Sequence, residues 1–163
     1  MKETETIESL LAKHPFLQGM DPAHVAFIAG CGKNVRFEAG EYIYHEGEPS
    51  EQFYLIRHGK VSLELFIPGK GALIVETLSE NDVLGWSWLF APYRRYWDTR
   101  ALEVTRAISL DGACIRAKCA EDHDLGYDLV TRFAQIVIDR LQATRLRLTD
   151  MYGQGASSLA RQR

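Results

Sequence analysis

Between Val35 and Leu110 the chain breaks its apolar runs at regular intervals, and this punctuation constrains the fold more than any other feature. Val35, Phe37, Tyr42 and Tyr44 come first, then the run 53–56, then Val61, Leu63 and Leu65 alternating with Ser62 and Glu64, then runs at 73–77 and 102–110. Gly40, Gly47-Glu48-Pro49, His58-Gly59, Pro68-Gly69 and Asn81-Asp82 separate them. Successive side chains of a strand point to opposite faces, so apolar residues at every second position supply one core-facing surface, and the intervening glycines and prolines supply turns. The prediction is a mainly β protein with flanking helices, its residues 35–119 forming an antiparallel jelly-roll barrel, or double-stranded β-helix.

The flanks read differently. Residues 7–17 form a short amphipathic pattern, and a second helix is expected where Asp21 caps and Pro22 enters the first turn, ending near Gly30 or Gly32, so that 1–34 is an N-terminal helical segment. After Cys119 the period changes again, and 125–151 holds no proline and one glycine, Gly126. Ala134, Val137, Leu141, Thr144, Leu148 and Met151 step by three and four residues, the spacing of a two-stranded coiled-coil seam, while Leu129, Phe133 and Ile136 lie on an adjoining face. A long C-terminal helix over 120–152 follows, with one stripe for the barrel and one for a second copy of the chain. The alternative is that both stripes pack within one monomer. Arg132, Arg140, Arg145 and Arg147, interleaved with Asp128, Asp139 and Asp150, read as a solvated face, and the polar tail 153–163 is expected to be disordered.

Net charge is −3, with none of the basic excess of a domain that grips phosphate backbones, so DNA binding is not expected. The longest apolar stretches fall short of a membrane span, and Glu3, Glu5 and Glu8 around Ile7, Leu10 and Leu11 make no secretory signal, which places the chain in the cytoplasm. Cys31, Cys114 and Cys119 show no metal-ligand spacing and read as buried or free thiols. The histidines are isolated, and His45-Glu46 lacks the second histidine of a cupin metal site. No nucleophile elbow, phosphate loop or paired carboxylates appear, so the chain is not read as an enzyme.

Gly40-Glu41, Glu46-Gly47-Glu48, Phe53-Tyr54-Leu55-Ile56, Gly59-Lys60-Val61 and Asp82-Val83-Leu84-Gly85, followed by Arg140-Leu141-Gln142 and Thr144, resemble the cyclic-nucleotide-binding effector domain of the catabolite-activator and fumarate-nitrate-regulator superfamily over residues 16–148. The resemblance implies a ligand held between barrel and long helix by a phosphate-binding cassette made of a strand end, a short helix and the next strand. Here that segment begins Gly85-Trp86-Ser87-Trp88-Leu89-Phe90 and runs to Arg100-Ala101. In the family an arginine and helix N–H groups hold the cyclic phosphate, and a glutamate after the cassette glycine takes the ribose. In this chain Trp86 stands in the glutamate position, and the arginine motif reads Arg95-Tyr96-Trp97 or, with a gap, Thr99-Arg100-Ala101. Arg94, Arg95 and Arg100 are the candidate phosphate partners, and Thr144 matches the residue of the long helix that meets the base.

Cyclic AMP in its usual mode is therefore not expected. Trp86, Trp88, Phe90, Tyr93, Tyr96 and Trp97 either fill the pocket or form a platform for a nucleotide or other planar anion, with Arg94 and Arg95 as its partners. No cofactor is assigned. The superfamily's helix-turn-helix and iron–sulfur cysteines are not found, so a regulator of this kind is expected to act through a protein partner. The leading function is a stand-alone, non-DNA-binding, homodimeric sensor. The alternatives are an accessory subunit of a larger redox enzyme, such as a cytoplasmic NAD-reducing hydrogenase, and, last, a cupin-type metalloenzyme.

Overall fold

A computed structural model describes the backbone of residues 4–160 and the side chains of residues 4–153. Two helices open the chain, α1 (Ile7–Lys13) and α2 (Pro22–Gly30), with a 3-10 turn at Pro15–Leu17 between them. The single helix predicted over 7–17 breaks at His14, whose extended ψ of 131° is the conformation that a following proline imposes. Thr6 caps α1 by accepting from the Ser9 amide at 3.2 Å, and Asp21 caps α2 by accepting from Ala23 at 2.8 Å.

The strands are β1 (Gly32–Phe37), β2 (Tyr42–Tyr44), β3 (Gln52–His58), β4 (Lys60–Ile67), β5 (Gly71–Ser79), β6 (Val83–Leu84), β7 (Asp98–Ala101) and β8 (Thr105–Asp111). They form two antiparallel four-stranded sheets in the orders β1-β8-β3-β6 and β2-β7-β4-β5. Tyr54, Ile56, Leu63, Leu78, Leu84 and Ala107 pack into one core cluster contributed by both sheets. A second cluster joins the outer face of the first sheet, through Phe53, Leu55, Ile108 and Leu110, to Leu11 and Ile28 of the opening helices and Leu125, Leu129 and Phe133 in the first turns of the last helix. This explains the unbroken apolar run of β3: Phe53 and Leu55 serve one core, Tyr54 and Ile56 the other. Between β3 and β4, Gly59 has φ +104°, and a Cβ there would stand 2.6 Å from the Val104 carbonyl oxygen, so no other residue fits this turn.

After β8 come α3 (Gly112–Glu121) and α4 (His123–Ala160). Several expectations change here. The barrel boundaries of 35 and 119 fall inside β1 and α3, and the run predicted over 102–110 starts only at Thr105 because Leu102 and Glu103 turn the chain out of β7. Helix α3 leaves no periodic signal in the sequence, because its apolar residues make no stripe, although Asp111 caps it by accepting from Cys114 at 2.8 Å. The helix α4 does not stop at 152: its backbone continues through Gly153 to Ala160, into the tail expected to be disordered, and residues 161–163 lie outside the described residues. A helix already nucleated adds each further residue at little cost, which outweighs the two glycines, Gly153 and Gly155. Finally, Cys31 and Cys114 are not free thiols but a disulfide, with Cα atoms 6.1 Å apart, and Cys119 alone remains free.

His14 illustrates the cost of closing the helical layer. It is 5% exposed, its Nδ1 accepts from the Phe16 amide at 3.2 Å, and burial pushes its imidazole below the ordinary value of 6.5, opposed in part by Ile56 and Asp82. Below that value the unfolded chain takes up a proton that the native state resists, so this contribution to stability is intact above pH 6.5 and falls as pH drops towards the folded value. The Tm of the protein is expected to drop between pH 7.5 and about 5.5, and in His14→Asn, which keeps the capping acceptor, the drop is expected to be smaller. Thermal melts of both proteins across that range check it.

Candidate functional site

The strand β6 ends at Leu84, and from Gly85 to β7 the chain runs through turns rather than the short helix implied by the family resemblance. Gly85 has φ +89°, and a Cβ on it would lie 2.7 Å from Nη1 of Arg95, so the glycine is what lets this side chain pass. Arg95 is 4% exposed. Its Nη2 donates to the Gln52 carbonyl at 2.6 Å and its guanidinium lies 4.0 Å from the centre of the Tyr44 ring, while Nε and Nη1 have no hydrogen-bond partner among the described residues. Burial pulls the proton affinity of Arg95 down, opposed by Tyr44, Tyr54, Glu48 and Glu51, and among the described residues no carboxylate forms an ion pair with it.

The cleft around Arg95 is lined by Tyr44, Gly85, Trp86, Ser87, Tyr96, Trp97 and Arg140. Its volume, about 10 Å³, is roughly that of one water-sized sphere. Trp86 closes it by stacking on Tyr96, ring centres 5.1 Å apart and planes at 18°, with Phe90 tilted alongside at 6.3 Å. Ser87 is buried and its hydroxyl bonds that of Ser50 at 2.9 Å.

The other candidates separate into different neighbourhoods. Trp88 is fully buried and faces away from the cleft: it stacks on Phe53 at 4.6 Å and meets Phe133 of α4 edge-on at 5.3 Å, so its role is to anchor the cassette to the helical core. Arg94 is exposed and reaches only the Gly47 carbonyl, at 3.4 Å. Arg100 is not a cleft residue either, because it is bonded at 2.6 Å to the buried carboxylate of Glu64. Thr144 is exposed, donates to the Arg140 carbonyl at 2.9 Å and does not line the cleft.

Arg140, expected on a solvated face, turns inward instead. Its side chain is 13% exposed rather than solvated, Nη2 donates to the Val83 carbonyl and Nε lies 3.8 Å from Glu76, with burial lowering its proton affinity. It thus brings a second guanidinium from α4 to the cleft. The signal was its place at the head of Arg140-Leu141-Gln142.

A glycine after β6, a buried arginine and an arginine from the long helix thus line one cleft. Residues 34–122 match the family described as the cyclic nucleotide-binding domain. This chain belongs to that family. The CRP-like cAMP-activated global transcriptional regulator of Mycobacterium tuberculosis is 25% identical over 145 residues, 89% of this chain and 63% of that protein. The cAMP-dependent protein kinase regulatory subunit of Dictyostelium discoideum is 27% identical over 114 residues, 68% of this chain and 35% of that one. The chain therefore spans less than two thirds of either curated relative. A cyclic nucleotide-binding domain from Methylobacillus flagellatus superposes with a TM-score of 0.75 at 18% identity, covering 90% of this chain and 82% of that one, which establishes the shared jelly-roll fold. Within a cyclic nucleotide-binding domain, the Trp86–Tyr96 stack stands where the family resemblance places the ribose carboxylate and the hydroxyl after the phosphate arginine.

Proposed function

We propose that this cyclic nucleotide-binding domain is a non-enzymatic sensor that takes a negatively charged ligand at Arg95, reports it through α4, and acts on a protein partner rather than on DNA. The observation that carries this reading is the buried Arg95 guanidinium, two of whose nitrogens find no hydrogen-bond partner among the described residues, Glu48 and Glu51 bordering it on the other side without forming an ion pair. A buried cation left short of acceptors is costly, and an anion that supplies them recovers that cost on binding. Arg140 couples occupancy to α4, since one side chain touches both the cleft and the helix. The relatives support a regulatory role, being a transcriptional regulator and a kinase regulatory subunit. The narrow cleft and Trp86 argue against cyclic AMP in the family's usual mode; a ligand larger than a small oxyanion must first part the Trp86–Tyr96 stack. Thermal shift and calorimetry with cyclic AMP, cyclic GMP, linear nucleotides and inorganic phosphate test the reading. Saturable stabilisation by at least one of these anions is expected, and silence from all of them sinks it.

The reporting helix is proposed to pair with its twin. Ala134, Leu141, Thr144, Leu148 and Met151 are exposed and Val137 is half-buried, and Tyr127 and Val130 extend the same alternation of three and four by another heptad. Leu141 alone is 65% exposed and Met151 68%. Such a stripe is what a coiled-coil partner covers. Sedimentation of the protein is expected to give twice 18.5 kDa, and Leu141→Lys, which sets two charges against each other in the seam, is expected to give the monomer. A monomeric parent protein removes the dimer.

A second reading rests on Phe90, Tyr93 and Tyr96, exposed aromatic rings of the segment between β6 and β7 that suit docking onto a larger enzyme, a redox enzyme such as an NAD-reducing hydrogenase included. Isolation from native cells under mild conditions discriminates: recovery of the chain by itself counts against it.

A further inference from the structure

Helices α2 and α3 are clamped at both ends, by different chemistry. At one end His24 Nε2 of α2 meets the Asp122 carboxylate, at the C-cap of α3, at 3.0 Å; midway Lys118 of α3 sits 5.3 Å from the centre of the Phe27 ring. At the other end the clamp is covalent: Cys31, the C-cap of α2, is bonded to Cys114 in the first turn of α3, 83 residues away in sequence. Cys114 is exposed and Cys31 half-buried, and the pair borders an open cleft of about 350 Å³ that also includes Lys33 and Asp111. A bond buried in the core would be shielded from exchange; this one is open to an incoming thiolate.

We propose that Cys31 and Cys114 form a reversible redox-modification site, a dithiol–disulfide couple opened by a dithiol reductant that reaches it through this cleft. The reductant's thiolate attacks Sγ of the exposed residue Cys114, the S–S bond breaks and its electron pair leaves with Sγ of Cys31, which takes a proton. The reductant's second thiol, losing its proton, then attacks the mixed disulfide, and Cys114 leaves as a thiol. Two electrons and two protons pass to the protein, and the reductant ends as a disulfide. The β1–β8 ladder, which pairs Gly32 with Leu110 beside the bridge, keeps the barrel closed, and His24 still holds Asp122. Reduction therefore loosens one end of the α2–α3 pair and removes a long cross-link from the unfolded state, without dismantling the fold. Cys119, on α3 but packed against Gly126 of α4, has its thiol pushed up by burial and by Asp122 and takes no part.

The experiment uses the full chain purified without reductant. Thiol titration in denaturant is expected to count one thiol before treatment with dithiothreitol under native conditions and three after. The treated protein stays folded, its Tm falls by about 10 °C or more, and hydrogen exchange quickens in the last turn of α2 and the first turn of α3 but not in β3 or β8. Cys114→Ser shows the low Tm at once and no response to reductant, whereas Cys119→Ser responds as the parent does. Three thiols in the protein even after treatment with oxidised dithiothreitol, or a bridge that dithiothreitol cannot open without denaturant, overturns the proposal, as does a Tm indifferent to reduction.

Discussion

Trp88→Ala is expected to be among the most damaging single changes in the barrel, costing about 3–5 kcal/mol and lowering Tm by roughly 6–20 °C. The indole is fully buried, stacked on Phe53 and edge-on to Phe133, and its Cβ lies 3.2 Å from where a side chain on Gly112 would begin, so β3, α3 and α4 all converge on it. A void that size is lined by β-sheet and helix backbones that cannot close over it. Trp86→Ala, two residues away, removes a half-buried ring whose stacking partner Tyr96 is itself exposed, and should cost less than half as much while widening the cleft. Chemical denaturation of the two variants beside the parent decides the assignment. A milder effect at Trp88 than at Trp86 means that the cassette is anchored elsewhere.

That pair shows where the sequence could be read and where it could not. Alternation and turn residues between Val35 and Leu110 report backbone geometry, which is local, and so the two-sheet jelly roll follows from them. The two faces of α4 were legible for the same reason: Leu129 and Phe133 are buried, and Leu141, Leu148 and Met151 are exposed. Which side a residue of an irregular segment faces is settled by tertiary contacts instead. Trp86, Trp88, Arg94 and Arg95 lie within ten residues, and in the fold one is lid, one core anchor, one solvent-facing and one the buried cation. Arg100 fits the looser, gapped form of the motif, and only the tertiary fold shows that the Glu64 carboxylate claims it. Cys31 and Cys114 carried no local signal of pairing, because their approach is produced by the β1–β8 register across 83 residues.

Arg95→Met is expected to divide stability from function. The substitution forfeits the bond to Gln52 and the contact with Tyr44, which together contribute on the order of 2–4 kcal/mol. Against this, it relieves the desolvation of a buried guanidinium, two of whose nitrogens lack acceptors among the described residues, a cost of several kcal/mol. The terms are of similar size with the relief somewhat larger, so the ligand-free variant should melt within a few degrees of the parent or above it. Anion binding, in contrast, should weaken by about 100-fold or more, because two charge-assisted hydrogen bonds of 1.5–3 kcal/mol each are removed. Paired melting and calorimetry with whichever anion stabilises the parent read both quantities. A variant that loses more than about 10 °C in Tm would mark Arg95 as a structural strut of the Gly85 turn, since a residue kept for packing forfeits stability when truncated and one kept for a ligand forfeits affinity.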